Sequence, residues 1–479
     1  MIPVVTPEEM GAIDAAAAEP TDVLIDRAGA AVAGQALGLL GGAYGRRVVV
    51  VAGKGNNGAD GRAAAERLTR RGVRVEVLDA ADLLDELPRC DLFIDAAYGT
   101  GFRGDWHPPK VAAGTRVLAV DIPSGVDGLT GEVHGAPWTA VRTVTFAALK
   151  PGLLLGRGPE LAGDVVVADI GLDVTSARTH LVESVDLARW LPERARDSHK
   201  WRAACWIVAG SPGMTGAAHL SAAGAQRAGA GYVRLSTPGL ASDPGAPTEV
   251  VGVELPADGW AATVLADLDR IAAVGVGPGL GPDPETAMQV RALVGAADRP
   301  FVVVDGDGLS ALADDVEGNV TQPRLRLGDD SSSNDTADGG PDGAVQPQGP
   351  TVVLTPHNGE LARLGADTAA PDRLAEVRAL AARRHAVVLA KGSTTIVADP
   401  QGRALIVTAG DDRLATAGTG DVLTGAITAL VAQGIAPLEA AAGAAHLHGR
   451  AGALAWRRGL VAGDVAAHLP AALAELPED

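Results

Sequence analysis

Hydrophobic residues in the first part of the chain come in short continuous runs, and each run closes on a glycine-rich polar segment. Arg46–Ala52 (RRVVVVA) is β-branched with no polar alternation, the pattern of a parallel strand buried on both faces. It delivers GKGNNGADG, then a helical AAAERLTRRG and a second run, VRVEVL. Strand, glycine-rich loop, helix, strand is a βαβ unit whose loop lies at the carboxyl end of the sheet, where ligands bind. The pattern recurs in LFIDAAYGTG from Leu92 and in RVLAVDIPSGVDG from Arg116, and VVVADIGLD closes this sheet. Ahead of it, Thr6-Pro7-Glu8-Glu9 reads as a helix cap with proline at the first position and acids in the first turn. An Ala-rich helix is expected from about Val23 to Leu39. The polar stretch THLVESVDLARWLPERARDSHK leads out, which puts a domain boundary near residue 185 and divides the chain into 1–185 and 186–479.

The second half repeats the same punctuation. Strands are expected at Trp206–Gly210, YVRLST, the start of Ile271–Gly281, Phe301–Asp305, the start of Val352–Glu360 and Ala386–Lys391, most of them running into glycine-bearing loops. SPGMTGA turns into a long Ala-rich helix ending at Gly229. AGTGDVLTG, with an apolar helical pattern through Ile427 and Leu430, is a tight turn opening what is expected to be the last major helix. Residues 318–349 (GDDSSSNDTADGGPDGAVQPQG within them) are polar, acidic and of low complexity, and are expected to be a disordered insertion. The fold class expected is α/β in two domains. The first is a Rossmann-like three-layer parallel sheet, the second a doubly wound three-layer sheet.

Composition narrows the partners. The chain has 479 residues, 47% of them hydrophobic, 62 glycines and a net charge of −19. Acidic surface repels nucleic-acid backbones, so no nucleic-acid partner is expected. Two cysteines, Cys90 and Cys205, make no disulfide framework and suit a reducing cytoplasm. No basic n-region precedes an apolar core, and no charge-free run of about 18 apolar residues occurs, so neither a signal peptide nor a membrane span is expected.

Three strand ends in the first half carry polar residues, which a parallel sheet converges: Asn57, Asp95, Asp121 and Ser124 around one pocket. One such Asp is ordinarily a cap or structural acceptor, and one Asn-Gly an ordinary turn; Asn-Asn flanked by four glycines favours a site. Paired asparagines supply carbonyl oxygens suited to a hard cation or an amide-bearing ligand. The segments KGNNGADG, DAAYGTGFRGD and DIPSGVDGLTG resemble the YjeF N-terminal family, the NAD(P)H-hydrate epimerases. That resemblance implies a K+ ion held by Asn57, Asp95 and Ser124, and Asp121 as the acid–base residue. It also implies substrate contacts from Asn56, Asn57, Gly58, Ala59 and Asp60, and from Gly99, Thr100, Gly101, Phe102, Arg103, Gly104 and Asp105. Ala59 replaces the family's usual glycine and fits only where φ is negative.

In the second half a glycine turn at a helix start presents unpaired backbone N–H groups to a phosphoryl group, and Asp421 at its mouth takes a proton from an attacking hydroxyl. GTGD alone is equally a loop beginning a surface helix. Its companions are His199-Lys200, AGSPGMTGAAHL, GPGLG, TPHNGE and KGSTT. Together they resemble the ribokinase-like superfamily and, more narrowly, the ADP/ATP-dependent NAD(P)H-hydrate dehydratases. The resemblance implies a substrate site lined by Ala217, Gly279, His357 and Asp421, and a nucleotide site at Lys391, Gly392, Ser393, Thr394, Thr395 and Gly420, taking ADP with Mg2+. Taken singly, His357 reads as a turn residue making a local hydrogen bond, and Lys391 as a solvated strand end. Trp201, Met214 and Ser310 depart from the family pattern.

The two resemblances cover nearly the whole chain, in the order of fused repair enzymes for NADHX and NADPHX, and that resemblance implies a homo-oligomer, with a tetramer as the expected state. Two alternatives stand beside this reading: a small-molecule kinase that releases its phosphorylated product, and a first half that is a silent binding scaffold.

Overall fold

The structure, a computed structural model, describes residues 1–83, 87–296, 300–313 and 351–477. The insertion expected at 318–349 lies outside the described residues. The chain separates into two compact units, Ile2–His180 and the residues from Leu181 onward.

The first unit is built on an all-parallel sheet. Its strands are ordered Arg74–Asp79, Arg47–Ala52, Leu92–Ala96, Arg116–Val120, Arg142–Phe146 and Asp164–Ala168. Both faces are covered, which explains the unbroken apolar runs. Val48, Val50 and Ile94 face helices Thr21–Leu40 and Asn56–Arg70, while Val49, Val51 and Phe93 face Trp106 and Trp138. Thr6 caps helix Pro7–Ala15 in a reciprocal capping box with Glu9. Helix Thr21–Leu40 is long and apolar enough to cross a membrane, a character masked in the sequence by Asp22, Asp26 and Arg27 near its start. One of its faces, through Ala28, Val32, Ala33, Ala36 and Leu40, belongs to the core.

One expected loop is a helix. Residues Asn56–Asp60 form the first turns of helix Asn56–Arg70, directly after the strand. The glycine at 58 permits this: a Cβ there would stand 1.9 Å from the carbonyl oxygen of Gly53. Ala59 therefore sits in helical backbone with negative φ, where its methyl group is accommodated.

The second unit's sheet runs, neighbour by neighbour, through Ala404–Val407, Thr395–Ala398, Val387–Ala390, Val352–Leu354, Phe301–Val304, Ala273–Val276, Ala204–Val208, Tyr232–Ser236 and Val251–Gly252. Pairing is parallel except around Thr395–Ala398, which is antiparallel to both neighbours, so the KGST segment is the turn of a hairpin. Helix Thr419–Ala432 is buried from Val422 to Ala432, and each Leu, Ile or Val it buries contributes about 1.5–3 kcal/mol. It crosses helix Gly216–Arg227 at backbone contact. A Cβ on Gly425 would lie 1.8 Å from the Ser221 carbonyl oxygen, and one on Gly224 would lie 2.2 Å from that of Val422. Helix Thr419–Ala432 is not the last major helix, since Pro437–Leu454 and Ala462–Ala474 follow. The apolar run of each is diluted by alanine, which hid the amphipathic period.

Candidate active sites

In the first unit a cavity of about 660 Å³ opens at the carboxyl ends of the strands. Among the residues expected to contact substrate, Asn56, Asn57, Asp60, Gly99, Thr100, Gly101, Phe102, Arg103 and Asp121 line it. Gly58 and Ala59 turn behind its wall, and Gly104 and Asp105 are exposed beyond it.

Asp121 has φ of +65°, a left-handed conformation that an aspartate tolerates better than most residues but that costs free energy. The turn aims its carboxylate back at the next strand. Its Oδ1 accepts hydrogen bonds from Lys150 Nζ at 2.6 Å and Thr145 Oγ1 at 3.0 Å. Lys150 is 1% exposed and also donates to Thr145 Oγ1 at 2.9 Å and to the carbonyl oxygen of Phe146 at 3.0 Å. With the Ala148 carbonyl oxygen at 3.3 Å as a fourth acceptor, the buried ammonium is a fixed charge beside Asp121. Across the cavity Asp60 is buried, and desolvation, with the Asp121 and Asp14 carboxylates adding to it, pushes its carboxyl up to about 8.

Asp95 and Ser124 lie beneath this cavity, both fully buried. Asp95 accepts from Ser124 Oγ at 2.6 Å and Ser124 N at 2.9 Å, and burial raises its carboxyl above the ordinary range. Asn57 is buried with neither amide atom bonded to a described residue. The unpaired amide oxygen of Asn57 on the cavity wall, with the buried Asp95 carboxyl and Ser124 hydroxyl, makes an all-oxygen donor set that fits a hard monovalent ion.

In the second unit, Gly418 (φ +87°) caps helix Thr419–Ala432 and leaves Gly420 and Asp421 as its half-exposed opening turn. Asp305, at the end of strand Phe301–Val304, is buried and accepts from Lys391 Nζ at 2.6 Å and Thr424 Oγ1 at 2.8 Å. Desolvation, with repulsion from Asp305, lifts Asp421 to about 7. Lys391 Nζ would stand 3.3 Å from a Cβ on Gly420, so the KG segment and the GTGD turn meet. Lys391 N also donates to the carbonyl oxygen of Pro356 at 2.9 Å, bringing in TPHNGE. Gly279 packs on Ala217, with 3.0 Å between a Cβ there and that of Ala217. His357 is exposed and caps its own helix, its Nδ1 accepting from Gly359 N at 3.0 Å. Gly392 and Ser393 are exposed, and Thr394 and Thr395 are half-buried.

Of the departures, Trp201 packs against Tyr232 with ring centroids 4.4 Å apart and planes tilted by 45°, and lies under Lys200, and Ser310 accepts from Arg363 Nη1 at 3.0 Å. Met214 is exposed. The chemistry overlooked in the sequence is Lys150, Thr145, Asp305 and Thr424. Asp305 was detectable as a polar residue closing an apolar strand. Lys150 follows its strand without flanking glycines on its near side, and a lysine there reads as solvated.

Comparison with known proteins gives both units a family. Residues 21–87 and 78–152 match the family model described as YjeF-related protein N-terminus, and 205–326 and 338–474 match that described as NAD(P)H-hydrate dehydratase. The chain is 36% identical over 99% of its length to the bifunctional NAD(P)H-hydrate repair enzyme Nnr of Salinibacter ruber, covering 96% of it. It is 36% identical, again over 99% of its length, to the enzyme of the same name from Moorella thermoacetica, covering 97% of that chain. A ribokinase-like superfamily protein from Enterococcus faecalis superposes on 63% of the chain, and 98% of its own, with a TM-score of 0.51 and 19% identity, a likeness of fold. With both family models matched in sequence and relatives aligned almost end to end, the chain belongs to the family of bifunctional NAD(P)H-hydrate repair enzymes.

Proposed function

We propose that the first unit interconverts the R and S epimers of NADHX and NADPHX, and that the second dehydrates the S epimer to NAD(P)H, consuming ADP and giving AMP and phosphate. The observation that carries this is the pairing of two separate carboxylate sites, each at the carboxyl ends of its own sheet and each with one aspartate pushed into the neutral range. The kinase-with-scaffold alternative is not favoured, because the relatives sharing 99% of the chain carry the bifunctional name.

In the dehydratase reading, Asp421 takes the proton of the C6 hydroxyl, which then attacks the terminal phosphorus of ADP. Phosphate leaves from C6 where hydroxide would not, C5 releases a proton to solvent, and the electron pair of that C–H bond restores the C5–C6 double bond. Lys391 to Thr395 and Gly420 hold the nucleotide, whose charge a bound Mg2+ would share, while Ala217, Gly279 and His357 border the hydrated ring. Lys391 exchanges its Asp305 partner for a phosphate oxygen. In the epimerase reading, Asn56–Asp60 and Gly99–Asp105 enclose the substrate and Asp121 moves its proton. Asn57, Asp95 and Ser124 would hold K+, which supplies a fixed positive charge under the site. The protein acts in the cytoplasm as a homo-oligomer in this reading.

The test is the coenzyme itself. Asp421→Asn is expected to abolish nucleotide-dependent recovery of NADH from the S epimer, by about 10²–10⁴-fold in kcat. Recovery within tenfold of the parent enzyme would remove Asp421 from the reaction.

A further inference from the structure

The catalytic reading of the first unit leaves one buried carboxyl unused. Asp60 lines the same cavity as Asp121, is 8% exposed, and makes no hydrogen bond or ion pair with a described residue. Asp121 is its opposite: Oδ1 is saturated by Lys150 and Thr145. Its Oδ2 stays toward Gly99, 3.9 Å from where a Cβ on that residue would be, on the cavity wall. Asp121 is paired with the buried Lys150 cation and keeps Oδ2 free of donors among the described residues, whereas Asp60 sits in a dry wall that favours the form that gives a proton. Two carboxyls with opposed environments facing one cavity divide into a base and an acid.

Resting on the epimerase reading, we infer that Asp60 is the proton donor of that reaction, partnering Asp121 in opening and closing the hydrated ring at its N1–C6 bond. The substrate is a cyclic hemiaminal, with a hydroxyl and a ring nitrogen on one carbon. Asp121 Oδ2 takes the hydroxyl proton, the C6 oxygen becomes a carbonyl, the N1–C6 electron pair passes to N1, and Asp60 protonates N1. The product is an open-chain aldehyde with an N–H. Rotation about C5–C6 presents the other carbonyl face. N1 then adds back, its proton returns to Asp60, and the oxygen recovers its proton from Asp121. Nothing is oxidised or reduced, and both carboxyls end as they began. A single pair with no third proton carrier therefore suffices.

The groups facing Asp60 are Asp14 on helix Pro7–Ala15, Asp121 and Lys150 at two strand ends, and Lys54 and Arg103 on the cavity's loops. Of these, Asp14 and Asp121 favour the protonated form and Lys150 opposes it, while burial outweighs them all.

The experiment follows the purified R epimer of hydrated NADH in the full-length protein without ADP, resolving R from S by chromatography. Asp60→Asn is expected to lower kcat at least 100-fold with KM within about threefold. Asp60→Glu should restore part of the loss, which a role in shape alone would not produce. In the unsubstituted protein kcat should fall as pH rises through about 8, as Asp60 loses its proton. In H2¹⁸O the S product should carry less than one label per conversion, since the C6–O bond stays intact. Asp60→Asn within twofold of the parent, a rate flat or rising between pH 7 and 9, or one full label per conversion would each overturn the proposal. If the unsubstituted protein itself does not exceed the spontaneous rate, the epimerase reading fails, a different outcome.

Discussion

Asp421 holds its proton up to about 7, chiefly because burial disfavours its charge and Asp305 adds repulsion. A base must be ionised, so kcat for dehydration of the S epimer is expected to rise with pH through about 7 and level off above it. A profile flat from pH 5.5 to 8 would contradict this role. The same shift bears on stability with a defined sign. The folded value lies above the ordinary 3.8, so the folded chain binds the extra proton between about pH 4 and pH 7 and loses stability as pH rises across that window. Asp421→Asn should therefore stabilise the second unit more at pH 8 than at pH 5, by on the order of 1 kcal/mol in unfolding free energy read by denaturant titration. Lys150 works the other way. Lys150→Met strips Asp121 Oδ1 of its buried cation and is expected to cost the first unit about 3 kcal/mol, read by denaturant titration, along with epimerisation. Asn57, Asp95, Asp121 and Ser124 were legible because each stands beside a glycine turn after an apolar strand. Lys150 and Asp305 were not assigned, because their significance lies in what they pair with, at sequence separations of 29 and 86 residues.

The elements carry the sites by close backbone approach. Helix Thr419–Ala432 and helix Gly216–Arg227 touch where Gly425 and Gly224 lack side chains, and this crossing fixes the height of Asp421 relative to Ala217. Gly425→Ala puts a methyl group 1.8 Å from the Ser221 carbonyl and is expected to destabilise the second unit by about 1–3 kcal/mol, with loss of dehydration. Gly463→Ala, with nothing within 4 Å, is the matched change that should leave the melting temperature unmoved. Parallel strands were readable from uninterrupted apolar runs. The start of helix Asn56–Arg70 was not, because GNNGADG has the composition of a loop and becomes helical only where Gly58 can pass under the Gly53 carbonyl. The antiparallel hairpin after Lys391 was hidden for a related reason: GSTTIVA reads as one more strand–loop segment, and its direction is set by pairing.

At the scale of the whole molecule, two units of unlike sheet order stand on one chain, and the proposed reactions are consecutive, the first supplying the only epimer the second accepts. The arrangement makes a mixed R and S pool fully recoverable by one protein. The decisive measurement is the recovery of reduced-nicotinamide absorbance from such a mixture of hydrated NADH, with ADP, Mg2+ and K+ present. Complete recovery faster than spontaneous epimerisation is expected, with the R fraction lost in Asp121→Asn and the whole signal lost in Asp421→Asn. Recovery that stalls at the S fraction in the unsubstituted protein, or none with either ADP or ATP, would contradict the account.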